Sequence, residues 1–286
     1  PSSDLHASDA SRAVPLAQGL ADPRRREAFA AELRAGQESL RAHHQSRRPG
    51  PRLLPLAEAR ARRFAPDWSA ADLPRPERFG IFEYSNFNLR ELLPFLDWSP
   101  FFHAWELKGV FPAILDHPKF GERARELHAD ALALLERLLE SGALRAAGAL
   151  AFWPANSVGD DVELYADESR SRLAGRFHFL RRQEDREDGK PQWCLADFVA
   201  PRDSGRLDSL AGFVVTAGLG AGEEAARLAA ANDDYSAILV KSLADRLAEA
   251  FAEWIHRRAR ELWGFGAAEP LTLEDLLREN YRGIRP

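Results

Sequence analysis

Two carboxylates, Asp245 and Glu249, stand four residues apart in the run ADRLAEAF. On a helix that spacing puts both on one face, where like charges cost about 0.2–0.5 kcal/mol. Arg246 could offset this by pairing with Glu249, so a solvated helix face is the default reading of the pair taken alone. A second pair, Asp160 and Asp161, is adjacent in GDDVELY at 159–165. Neighbouring carboxyl groups can share a proton, but a glycine before two aspartates and a strand is also ordinary turn chemistry. Asp97, ahead of Trp98, Ser99 and Pro100, reads by itself as a turn or helix-end residue. Arg285 reads as a solvated terminal charge.

Other chemistries lack their groups. GLGAG at 218–222 follows an apolar run and precedes EEAARLAA, the setting of a dinucleotide fingerprint, but Glu223 stands where the third small residue belongs and would face a pyrophosphate. A flexible strand-to-helix turn explains the glycines, which leaves a nucleotide-dependent oxidoreductase as a distant third reading. His43 and His44 are adjacent and point about 100° apart on a helix, so they cannot share a metal face. No G-x-S-x-G elbow or Walker-type loop is present. We expect neither a catalytic triad nor a metal site.

The chain has 286 residues, 45% hydrophobic and 29% charged, enough for one large domain with an appendage. Its net charge of −5 offers no basic field for nucleic acid or an anionic membrane. One cysteine, Cys194, excludes an internal disulfide and suggests a reducing, cytosolic setting. No stretch approaches the roughly 18 apolar residues of a membrane span. Methionine is absent even at position 1, which predicts a piece of a longer protein.

The elements that must position these residues are legible in the hydrophobic pattern. Residues 22–46 predict a lightly packed helix on Phe29, Leu33 and Leu40, and six prolines between 49 and 76 interrupt regular structure. We therefore expect a linking segment over 1–48 and the main domain over 49–286. GIFEYSNFNL predicts a strand, followed by a short amphipathic helix through Leu92 and Phe95, and 121–141 predicts a helix stopped by Gly142. AGALAFWPA, VELYA, GRFHFL, WCLADFVA and GFVVTA all have strand texture. A long helix over 232–262, capped by Asn232 or Asp233, carries Tyr235, Leu239, Leu243, Leu247, Phe251 and Trp254. The predicted fold is α+β, with a central, mostly antiparallel twisted sheet flanked by helices and a long C-terminal helix.

DWSPFF at 97–102, FWPANSVGDDVELY, CLADFVAP, NDDYSAILVKSLADRLAEAF at 232–251, WGF and ENYRGIRP occur in one order over residues 50–286. In these blocks the chain resembles the S-adenosylmethionine-binding reactivation domain of cobalamin-dependent methionine synthase. DASRAV at 9–14 resembles the last strand of the cobalamin-binding domain that precedes it there.

The resemblance implies a module that restores methylcobalamin from inactive cob(II)alamin, using S-adenosylmethionine and an electron from a flavodoxin-type donor. It assigns Asp97 and Arg285 to S-adenosylmethionine, and those types suit the ligand's ammonium and carboxylate. It turns the helix bearing Asp245 and Glu249 toward the corrin, which a partner cobalamin domain holds. Arg170, Arg172, Arg176, Arg181 and Arg182 are the densest basic cluster for an acidic flavodoxin. In the family the arginine opens an Arg-x-x-x-Gly-Tyr-Pro motif, whereas this sequence stops at Pro286. The alternative is accordingly a noncatalytic module that docks on the cobalamin domain and has lost the ligand.

Overall fold

In the computed structural model, residues 21, 24, 26–47, 52–185, 189–265 and 271–282 are described. The chain forms two compact units, one of residues 1–62 with 182–192 and the other of residues 63–181 with 193–286. In the first, α1 (Arg26–Arg47) is a polar helix on which Phe29 and Leu33 are half-buried and Leu40 is 71% exposed. The short α2 (Leu56–Ala61) follows. An antiparallel bridge joins Leu53 to Glu184, and Leu54 N donates to Gln183 O at 2.8 Å.

The second unit runs β1 (Gly80–Phe87), a 3-10 helix at Leu89–Phe95, α3 (Ser99–Ala104) and α4 (Gly121–Ser141). Then come β2 (Arg145–Val158), β3 (Asp161–Tyr165), β4 (Leu173–His178), β5 (Asp208–Leu219), α5 (Ala221–Ala230), α6 (Asp234–Leu262) and α7 (Leu273–Leu277). β2 is the centre of the sheet. It pairs with β5 along one edge, while the other edge is shared by β1 as far as Phe152 and by β3 from Ala155 onward. Pro154 falls in the gap between those two registers, where a missing amide does least harm to a central strand. β4 extends the sheet from β3, and every ladder among the five strands is antiparallel.

One stretch of strand texture takes another form. Residues 193–200 contain a 3-10 turn, Leu195–Phe198, because the Asp197 carboxylate accepts from Cys194 N at 3.0 Å and bends the chain back on itself.

The core lies between the sheet and its helices. Leu239, Leu243, Leu247 and Phe251 of α6 are each no more than 1% exposed. The Phe251 ring stacks on Phe87 with centroids 4.5 Å apart and presses so closely on the sheet that a β-carbon at Gly148 would lie 3.0 Å from it. Tyr235, at the start of the same stripe, is instead 43% exposed and donates to Asp130 Oδ2 at 2.9 Å. Asp233 caps the helix by accepting from Ser236 N at 3.0 Å. On α4, Ala124, Leu127, Ala131, Leu134, Leu135 and Leu138 face the core, and Gly142 stops the helix at φ +65°. No helix among the described residues is long and apolar enough to cross a membrane.

The glycines of GLGAG have a structural use. β5 lies antiparallel to β2, so there is no parallel crossover to carry a dinucleotide site. Gly220 turns the chain into α5 at φ +99°, and a β-carbon there would strike the Ala143 carbonyl oxygen. Gly220→Ala is therefore expected to cost about 2 kcal/mol or more, read as a lower urea midpoint at unchanged m.

His128, on α4, sits among rings: Trp98 edge-on at 4.7 Å, Phe111 at 5.2 Å and Phe102 at 6.0 Å. Its Nε2 is buried without a hydrogen-bond partner among the described residues, and burial pushes the imidazole below its ordinary pKa. The unfolded chain takes up a proton that the folded protein resists. Stability from this site is thus complete above about pH 6.5 and is lost as pH falls through the lowered folded value. His128→Phe should flatten that part of the curve and leave stability at pH 7 within about 1 kcal/mol of wild type, as urea midpoints at pH 7 and pH 5 would show.

Candidate functional site

Asp97 lies at the junction between the 3-10 helix and α3, and its place is fixed from both sides in sequence. Pro100 at the start of α3 presets a helical φ, and Trp98, 8% exposed, anchors the turn edge-on against Phe101 at 5.3 Å. The half-buried Asp97 carboxylate accepts from Ser99 N through Oδ1 at 2.9 Å, an Asx turn. Ser99 Oγ in turn accepts from Phe111 N at 3.1 Å, tying the following loop to the same corner. Asp97 Oδ2 carries no hydrogen bond among the described residues. The turn therefore presents one committed and one uncommitted oxygen, a geometry suited to a cationic hydrogen-bond donor.

Asp245 and Glu249 are exposed on α6, on the side away from Leu243, Leu247 and Phe251. Arg246 pairs with Asp245 at 2.5 Å, not with Glu249 as the spacing suggested. The adjacent residue wins because Arg246 is largely buried, its side chain only 14% exposed, which limits its reach. No hydrogen bond or ion pair joins Asp97 to Asp245 or Glu249 among the described residues. Arg285 lies outside the described residues, as does the DASRAV segment.

Asp160 and Asp161 meet different basic side chains. Asp160 meets Arg181 at 2.7 Å, and Asp161 meets His178 at 3.0 Å and Arg176 at 3.8 Å. Each carboxylate has its own cation, as expected of a turn between β3 and its neighbours.

Four of the five clustered arginines are engaged within the fold, and Arg172 is exposed. Arg181 is buried, 1% exposed at its side chain, and is bidentate to Asp197 at 2.7 and 2.8 Å while also bound to Asp160. These carboxylates raise its pKa against the opposing effect of burial. Arg176 pairs with Glu163 at 2.5 Å, Arg182 with Glu184 at 2.8 Å, and Arg170 donates to the Asp208 carbonyl at 2.8 Å. Only tertiary pairing reveals this, because the acidic partners are spread along the sequence.

Two groups were not nominated by the sequence. Glu163, 4% exposed on β3, accepts from Tyr165 Oη at 2.8 Å and Arg202 at 2.9 Å as well as from Arg176. Burial opposes its ionisation, but the Tyr165 hydroxyl and the two guanidiniums outweigh it and hold the carboxyl below its ordinary value. Glu253, His256 and Arg260 are buried on the last turns of α6, and His256 and Arg260 lie beside Tyr281 and Arg282. The sequence offers no sign of their burial, because they continue at helical spacing the same polar face as Asp245 and Glu249. A cleft of about 260 Å³ near Gly159, lined by Arg63, Trp68, Asp197 and Arg202, contains none of the nominated residues.

Residues 88–286 match the family described as vitamin B12 dependent methionine synthase, activation domain. Among solved structures, the chain is similar to one described as the crystal structure of the MetH reactivation domain bound to AdoHcy. The identity is 43%, with a TM-score of 0.79, over 83% of this chain and 72% of that one. A sequence match across most of the chain and a fold match at this identity agree: the chain belongs to the activation domain family of vitamin B12-dependent methionine synthase.

Proposed function

We propose that this chain binds S-adenosylmethionine and supports the reductive remethylation of a cobalamin held by a partner domain of methionine synthase. The observation that carries the reading is the likeness, at 43% identity, to a reactivation domain bound to AdoHcy. The Asp97 corner supports it further. Its uncommitted oxygen would accept from the ligand's ammonium, and Arg285 would receive the ligand's carboxylate in the bidentate manner of a guanidinium.

Cobalamin would supply the methyl-carrying metal chemistry when its own domain brings it. This chain's part is to hold the methyl donor and present a surface. Asp245 and Glu249 are the groups we assign to that surface, where exposed carboxylates can order water or take a proton beside the corrin. A flavodoxin-type protein is the proposed electron donor, without a docking role for Arg181, whose guanidinium is buried. We assign residues 1–48 to a linking segment that ends a preceding cobalamin domain and 49–286 to the reactivation domain. By itself the chain should turn over nothing, and a reducing cytosol suits its lone buried thiol.

Calorimetric titration with S-adenosylmethionine should show binding that Asp97→Ala weakens by about tenfold or more, in line with the loss of a charge-assisted hydrogen bond. Binding indifferent to Asp97 would remove that residue from the site, and no binding at all would favour a docking module without ligand. Asp245→Ala and Glu249→Ala should slow reactivation of the cobalamin enzyme while leaving the urea midpoint of the domain within about 0.5 kcal/mol. Undiminished reactivation in both would dispose of their role.

A further inference from the structure

We propose that Arg260 is a positioning residue that fixes Tyr281 and Arg282, three residues ahead of Arg285 in the chain, an inference that rests on the ligand role given to Arg285 above. Glu253, His256 and Arg260 are spaced three and four apart, so they form one stripe on α6. They are 9%, 7% and 7% exposed. Burying three ionisable side chains on a helix that elsewhere buries leucines costs free energy unless each is held. The stripe therefore points to something it holds in return.

For His256 and Arg260 that something is the segment after α7. The Arg260 guanidinium donates to the Arg282 carbonyl at 2.6 Å and lies 4.8 Å from the Tyr281 ring centre and 5.1 Å from that of Phe265. His256 meets the Tyr281 ring at 4.9 Å, nearly edge-on. From the other side, Arg282 donates to Asp72 Oδ2 at 2.9 Å and to the Asp72 carbonyl at 2.6 Å. Trp263 Nε1 donates to Pro74 O at 2.9 Å, which ties the same loop to the end of α6.

Tyr281 and Arg282 are thus clamped between the helix and the 72–74 loop, three residues ahead of Arg285 in the chain. A guanidinium can stack on a ring and donate in its own plane at once, which an ammonium cannot do. Ordering the backbone before the ligand arrives removes a cost that binding would otherwise carry. On this view Arg260 acts through the backbone of 281–282 and does not itself touch the ligand.

The test combines amide exchange over residues 279–285 with titration of S-adenosylmethionine, in the full chain and its Arg260→Ala, Arg260→Lys and Asp97→Ala variants. In Arg260→Ala, exchange at 281 and 282 should quicken about tenfold or more while the rest of α6 stays protected, and affinity should fall about tenfold. Arg260→Lys should share the loss. Millimolar guanidinium should restore ligand affinity to Arg260→Ala but not to Asp97→Ala, a rescue that a merely structural defect would not show.

Unchanged exchange overturns the clamp, and faster exchange with wild-type affinity overturns its link to the ligand. If Asp97→Ala alone weakens binding, the failure is confined to Arg260. If neither variant changes binding, or the wild type binds nothing, the ligand reading falls and takes this inference with it. Should Arg260→Ala not fold, Tyr281→Ala, which removes only the ring beneath the guanidinium, takes its place under the exchange and affinity readings.

Discussion

The seating of Phe251 over Gly148 is the contact on which the rest of the molecule depends. A ring can approach a strand this closely only where no side chain intervenes, and β2 provides that place in the middle of its pairing with both β1 and β5. Once the ring is stacked on Phe87 and edge-packed on Trp254, the axial rotation of α6 is set. A helix is rigid over its length, so every other side chain on it inherits its direction from that contact.

Two surfaces follow from the fixed rotation. Toward solvent, Asp245 and Glu249 point away from the sheet because the buried positions around them are taken by Leu243, Leu247 and Phe251. Two turns further on, Ile255, Ala259 and Leu262 continue the sheet-facing side against Leu150 and Phe152. The side that carried Asp245 and Glu249 to solvent is there covered, and His256 and Arg260 on it meet the last described segment of the chain. A backbone segment offers carbonyls that need donors, which is why that face stays polar where it is buried.

Electrostatics elsewhere serve cohesion. Arg181 with Asp160 and Asp197, and Glu163 with Arg176, Arg202 and Tyr165, close off the β2–β4 end of the sheet with charges that satisfy one another. Buried networks of this kind specify a single arrangement more than they add net stability. They also explain why Arg176 and Arg181, two of the clustered arginines, are committed to carboxylates within the fold.

Elements whose signal is local could be read directly from the sequence. The helix stopped at Gly142, the cap at Asp233, the stripe through Leu239 and Phe251 and the alternating strands all follow from short-range periodicity and turn chemistry. The blocks DWSPFF and NDDYSAILVKSLADRLAEAF also announced the family to which the whole chain belongs. What the sequence could not decide was pairing between distant residues. WCLADFVA has the texture of a strand, yet Asp197 folds it into a turn through Cys194 N and Arg181, an arrangement that needs the sheet to exist first. Arg246 chose Asp245, Arg181 went inward, and His256 and Arg260 found Tyr281 and Arg282. In each case the local pattern permits several partners of opposite charge, and only the folded chain brings one of them within hydrogen-bonding distance while desolvating the rest.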